Sequence, residues 1–122
     1  MRTKSLLLSV LPMAAGLAAA ADPAVIEDAR ADWQGGSWQV SVTLSHGDTG
    51  WDDYADGWRV ETEDGAILGT RTLFHPHVNE QPFTRSLGGV EIAEGVERVV
   101  IRARTNTEGW DGDPFILTLP QR

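Results

Sequence analysis

The sequence predicts an all-β domain: an immunoglobulin-like antiparallel β-sandwich of about seven short strands, preceded by a cleaved signal peptide. Three observations lead there. After position 21 the apolar residues recur at every second place. In "SWQVSVTLS", Trp38, Val40, Val42 and Leu44 fall on one face and Gln39, Ser41, Thr43 and Ser45 on the other. Turn formers such as Gln34-Gly35-Gly36, Asp64-Gly65 and Glu94-Gly95 interrupt this alternation, and the six or seven short strands it yields recur at a sandwich-like spacing of about 8–12 residues. Beyond the opening segment, no stretch carries a helical period.

The chain opens "MRTKSLLLSVLPMAAGLAAAADP". Arg2 and Lys4 make a positive start, Ser5 to Leu17 an apolar core, and Ala18 to Ala21 the small-x-small pattern of a signal-peptidase site. Residues 1–21 therefore read as a signal peptide cut just before Ala21 or Asp22. The apolar run is short for a membrane span, so no membrane insertion is expected after cleavage. With no Cys near the cut, a lipid anchor is not expected either. Residues 22–122 are enough for one sandwich domain and one core.

Without Arg2 and Lys4, 8 basic residues face 18 acidic ones. A surface this acidic disfavours nucleic acid, whose phosphates it repels. The chain has no Cys, and both methionines, Met1 and Met13, lie in the signal segment. Thiol chemistry, Cys-linked haem and a thiolate copper site are therefore excluded. Stability must come from the core, with or without a ligand.

Taken in order, Ala29, Ala31 and Trp33 alternate into the Gln34-Gly35-Gly36 turn, and Ser37–Ser45 returns. Asp56–Glu63, with Trp58, Val60 and Thr62 on one face, turns at Asp64-Gly65 into Ala66–Phe74. A short strand in "GGVEI" leads through Glu94-Gly95 to a strand with Val99, Ile101 and Ala103 inward, and Phe115, Leu117 and Leu119 alternate in the last. Trp110 is expected to plug the core edge.

Two segments break the alternation, Gly47–Asp56 and His75–Pro82, and between them they flank all three histidines. If Ser37–Ser45 runs up, Asp56–Glu63 runs down and Ala66–Phe74 up again. The loops after Ser45 and after Phe74 then leave at the same end, where sandwich domains gather binding residues. Pro76 favours extended geometry at His75, so His75 and His77 project to one side. His46 closes its strand with Asp48 two residues on, and Glu80 is within loop reach. Such a His46, Asp48, His75, His77 and Glu80 set suits zinc or copper(II), which accept neutral imidazole nitrogen. The same histidines can instead hold a structural polar network, or serve acid–base chemistry or pH sensing. Trp51 and Tyr54, beside Asp52 and Asp53, can stack on a glycan or partner or cover the loop end. Arg85 can pair with Glu80, and Phe83 can anchor the loop in the core. No nucleophile elbow, phosphate loop or H-E-x-x-H motif accompanies these residues.

The segments "SHGDTGWDDYADGWRV" and "LGTRTLFHPHVNEQPFTRSLGGVEI" resemble the signature of a family of small exported bacterial proteins, "HPHVNEQPFTRS" being the most specific part. The resemblance spans most of residues 22–122. It implies a periplasmic address and supplies no catalytic role. At fold level the His-x-Asp strand end and Trp-bearing strand are similar to superoxide reductases and to the sulfur-carrier partners of thiosulfate oxidation. The Cys that the reductase iron requires is missing, so that activity does not carry over.

The expected protein is thus a periplasmic, non-catalytic domain binding zinc or copper(II). The alternative is an interaction module that docks an envelope protein or glycan over a structural His/Asp network.

Overall fold

Alternation in the sequence becomes seven strands in a computed structural model describing residues 22–122. The expected signal peptide, residues 1–21, lies outside the described residues. The strands are β1 (Val25–Trp33), β2 (Trp38–Ser45), β3 (Ala55–Glu61), β4 (Ile67–Thr72), β5 (Phe83–Val90), β6 (Arg98–Thr105) and β7 (Phe115–Thr118). They form two antiparallel sheets, β1-β2-β5 and β4-β3-β6-β7, and the described residues include no helix.

The predicted hairpins form where the turn residues require. Trp33 pairs with Trp38, closed by a Gln34 N–H to Ser37 carbonyl bond of 2.9 Å. Gly35 takes a φ of 86° there, a region open to glycine. The β3–β4 turn is closed by the Thr62 amide donating to the Ala66 carbonyl at 2.8 Å. The edge strand β1 carries a register shift between Ile26 and Asp28.

The inward faces of both sheets meet in one apolar core. Trp38, Val40, Val42 and Leu44 of β2 face Trp58 and Val60 of β3 and Val99, Ile101 and Ala103 of β6. All nine are buried. Trp110 is not among them. It is only half-buried, with the Arg59 guanidinium 4.1 Å from its ring centre and that of Arg104 at 5.8 Å. The polar outer face of β3–β6 takes the indole because two cations there can stack on it.

Strand β5 also differs from expectation. It begins at Phe83, well before "GGVEI", and pairs with β2 from Leu44↔Phe83 onward. Hydroxyls bind this pairing: Ser41 to Ser86 at 2.8 Å and Thr43 to Thr84 at 2.7 Å, a cross-strand ladder that the apolar pattern does not reveal. The Glu94-Gly95 turn then carries the chain across to β6 in the other sheet instead of closing a hairpin.

One buried charge bridges β3 and β6. Glu61 accepts from Arg59 Nε at 2.6 Å and from Arg102 Nε at 3.1 Å. Burial pushes its carboxyl up, but the two guanidinium hydrogen bonds and their charges outweigh this and leave it below the ordinary carboxylate value. A depressed folded pKa contributes stability that is present above the unfolded value and is lost as pH falls through the folded one. Glu61→Gln is therefore expected to cost about 1–3 kcal/mol at pH 7 and to flatten the acid limb of the stability curve, measured by urea unfolding at pH 7 and pH 3. Trp58→Ala, which empties a fully buried site, is expected to cost about 3–5 kcal/mol in the same assay.

Candidate functional site: a buried histidine among carboxylates

β2 ends at Ser45 in one sheet and β3 begins at Ala55 in the other; β4 ends at Thr72 and β5 begins at Phe83. Both intervening loops therefore cross between the sheets, and they meet at one end as the strand directions predict. The meeting point is Asp48. Its Oδ1 accepts from the Ala55 amide at 2.9 Å and from His46 Nδ1 at 2.6 Å, and its Oδ2 accepts from the His77 amide at 2.8 Å. Gln81 fastens the loops a second time: its Oε1 accepts from the His46 amide at 3.0 Å and its Nε2 donates to the His77 carbonyl at 3.0 Å.

The His46 side chain is fully buried, and acceptors face both of its ring nitrogens. Nδ1 donates to Asp48. Nε2 lies 2.8 Å from the Asp22 carbonyl, 3.3 Å from Asp22 Oδ2 and 3.6 Å from Asp53 Oδ1. A carbonyl can only accept, so with Nδ1 donating to Asp48 this geometry suits the doubly protonated, imidazolium form of the ring. Burial alone lowers its pKa, but the hydrogen bonds to Asp48 and the Asp22 carbonyl, with the charges of Asp22 and Asp48, raise it above the ordinary value of 6.5.

His77 behaves oppositely. Its ring stacks on Phe83 at 3.9 Å and its Nε2 accepts from Arg85 at 3.0 Å. Burial, then the charges of Arg85 and His75, lower its pKa despite the nearby Glu80 and Asp48. Arg85 also pairs with Glu80 at 2.9 Å, as expected. His75 stays exposed, with its ring 4.7 Å from that of His77.

The five predicted ligands are therefore divided. The structure brings His46 and Asp48 together, but Asp48 stands behind the ring on Nδ1. His77, Glu80 and Arg85 form a separate chain, with His75 beside it. The three imidazoles do not share a point. The rings of His75 and His77 lie 4.7 Å apart, but His75 is exposed while His77 is buried, turned onto Phe83 and Arg85. Among the described residues, the group able to hold an ion is Asp22, His46 and Asp53, with one donor atom from each within 4.8 Å of the others. A shallow cleft bounded by Pro23, Val25, Ser45 and Gln81 opens onto Asp22 and His46.

Asp53 is among the predicted partner-binding residues; Asp22 is the residue the sequence reading misses. A signal for it exists. Counting the β1–β2 hairpin back from Trp33↔Trp38 reaches Val25↔Ser45, which lays the residues before β1 beside those after β2. Of the other predicted contact residues, Trp51 is 65% exposed, with Tyr54 edge-on at 5.6 Å, and Asp52 is exposed. Asn106 pins their loop by accepting from the Tyr54 amide at 2.8 Å and donating to the Trp51 carbonyl at 2.9 Å.

The chain has a sequenced relative. It is 46% identical over 79 residues to a protein of Halomicrobium mukohataei named "Putative lipoprotein", a match that takes in 65% of this chain and 38% of the relative. The chain thus spans well under half of the relative's length. No protein-family model matches the sequence, and no solved structure matches it.

Two outcomes follow from the geometry. Long-range proton–nitrogen spectra of metal-free protein at pH 7 are expected to show His46 doubly protonated and His77 neutral with its proton on Nδ1. Asp48→Ala leaves three buried donors without their acceptor and is expected to cost at least ~3 kcal/mol in urea unfolding, with faster exchange of the Ala55 and His77 amides.

Proposed function

We propose that this chain is an exported, non-catalytic domain that binds a divalent transition metal at one end of an immunoglobulin-like sandwich. His46, Asp22 and Asp53 are the ligands. The observation that carries this reading is the position of His46 Nε2, 3.3 Å from Asp22 Oδ2 and 3.6 Å from Asp53 Oδ1. A tetrahedral ion with bonds of ~2.0–2.2 Å separates its ligands by about 3.4 Å. Asp48 on Nδ1 is then the orienting carboxylate that metal-bound histidines usually have behind them. The ion takes the place of the Nε2 proton, so binding releases a proton and weakens as pH falls. One imidazole with two carboxylates favours zinc over copper(II) relative to the three-imidazole set expected from sequence.

The three-plus-four division of the strands supports the immunoglobulin-like assignment. The relative's name supports an exported or envelope-associated protein, and the signal-like first 21 residues support a periplasmic address.

A second reading has its own support. Both ring nitrogens of His46 already have partners, as in a finished polar network, and the exposed Trp51 beside Tyr54 offers an aromatic platform. On this reading the loops are scaffolding, and an envelope protein or glycan docks on Trp51, Tyr54, Asp52 and Arg85.

Purified residues 22–122, free of tag and chelator, would be analysed for bound metal and titrated with zinc and copper(II). The metal reading expects near-stoichiometric binding, weakened roughly 10–100-fold by Asp53→Asn or Asp22→Asn and within a few-fold of wild type for His75→Ala/His77→Ala. Loss in the double variant alone would move the ion to His75 and His77. Binding too weak to respond to any of these substitutions would leave the network reading.

A further inference from the structure

Asp22 is held from both sides. Its carbonyl accepts from His46, and its amide donates to Glu108 Oε1 at 2.9 Å across 86 positions of sequence. The Glu108 carboxylate is presented by a closed turn. Thr105 and Gly109 exchange backbone hydrogen bonds of 3.1 and 2.9 Å, Gly109 has a φ of 67°, and the Glu108 amide is capped by Thr105 Oγ1 at 3.1 Å. Two residues on from Asp22, the Ala24 carbonyl lies so close to Gly112 that a Cβ there would sit 2.8 Å from it. Residues 22–24 thus run in a fitted track between the β2–β3 loop and the β6–β7 connection.

One feature of this track is out of balance. Glu108 Oε2 is buried and has no hydrogen-bond partner among the described residues, while Oε1 receives a single amide proton. An amide offers one N–H; an ammonium offers three and a full positive charge. We infer that the Ala21–Asp22 bond is the maturation site of the exported chain, and that Glu108 is the receptor for the α-ammonium created there. A signal peptidase with water breaks the Ala21 carbonyl–Asp22 nitrogen bond. The water hydroxyl goes to the carbonyl carbon, leaving a carboxylate on Ala21. The nitrogen takes up the protons and becomes the α-ammonium of Asp22, close enough for Glu108 to receive two of them. Ala19 and Ala21 supply the small residues such a peptidase needs three places and one place before the cut. A cut one residue earlier would move the charge by about one Cα step of 3.8 Å and leave an amide at Glu108. The inference stands apart from metal binding: it concerns the backbone nitrogen of Asp22, not its carboxylate.

The test has two arms. Residues 1–122 would be expressed with export and the product's N-terminus sequenced; Asp-Pro-Ala-Val is expected, and a first residue other than Asp22, or an uncut chain, overturns the maturation site. In the second arm, Glu108→Gln is introduced into a chain whose first residue is Asp22 and into one that carries Ala20 and Ala21 ahead of it. Urea unfolding is expected to show a roughly three- to tenfold greater loss of the folding equilibrium constant in the chain that begins at Asp22. Equal losses in the two chains overturn the receptor. Acetylating the Asp22 amine in the unsubstituted chain provides a second route: it is expected to reproduce the Glu108→Gln loss, and no effect on stability overturns the receptor as well.

Discussion

Asp48 is a buried carboxylate shared among three segments that are distant in sequence. One oxygen holds the first amide of β3 and the ring of His46; the other holds the amide of His77 from the β4–β5 loop. A buried carboxylate is costly to desolvate and is retained only where donors satisfy it. Here those donors come from both loops of one end and from the strand that opens the second sheet. The positions of His46 and of the stacked His77 follow from that arrangement. The His46 ring on its Oδ1 compensates the Asp48 charge, while Asp22 and Asp53 leave the cluster net negative within a strongly acidic chain.

Much of the fold was legible because its signals are local. Period-two alternation and glycine-bearing turns specify β1–β2 and β3–β4, and counting strand directions is enough to bring His46, Asp48 and His77 to one rim. Strand β5 was less visible because Thr84 and Ser86 are held to β2 by hydroxyls, which carry no apolar signal. Trp110 was misplaced for a related reason. An indole suits a core and a pair of guanidinium groups equally well, and only the register that sets Arg59 opposite Arg102, with Arg104 two residues on, distinguishes them.

The site was half legible. Residue types and rim were recoverable, but ring orientation was not, because it depends on what lies behind each imidazole. Phe83 and Arg85 draw His77 away, and Asp48 turns Nε2 of the buried His46 toward Asp22 and Asp53. Asp22 carries no local signal, since a residue ahead of the first strand looks like a terminus, although hairpin register places it beside the loop after β2.

The shifted register at Ile26–Asp28 bears on how the domain behaves in company. β1 is an open edge, and an open edge invites a strand from another molecule. On this one the ladder bends at the shift, and Glu27, Asp28, Arg30 and Asp32 point away from the core beside Ala29 and Ala31, which point in. An incoming strand would have to follow a kinked row of backbone groups past three carboxylates. The same edge that frames the approach to Asp22 thereby discourages edge-to-edge stacking, which suits a domain with no disulfide to hold it closed.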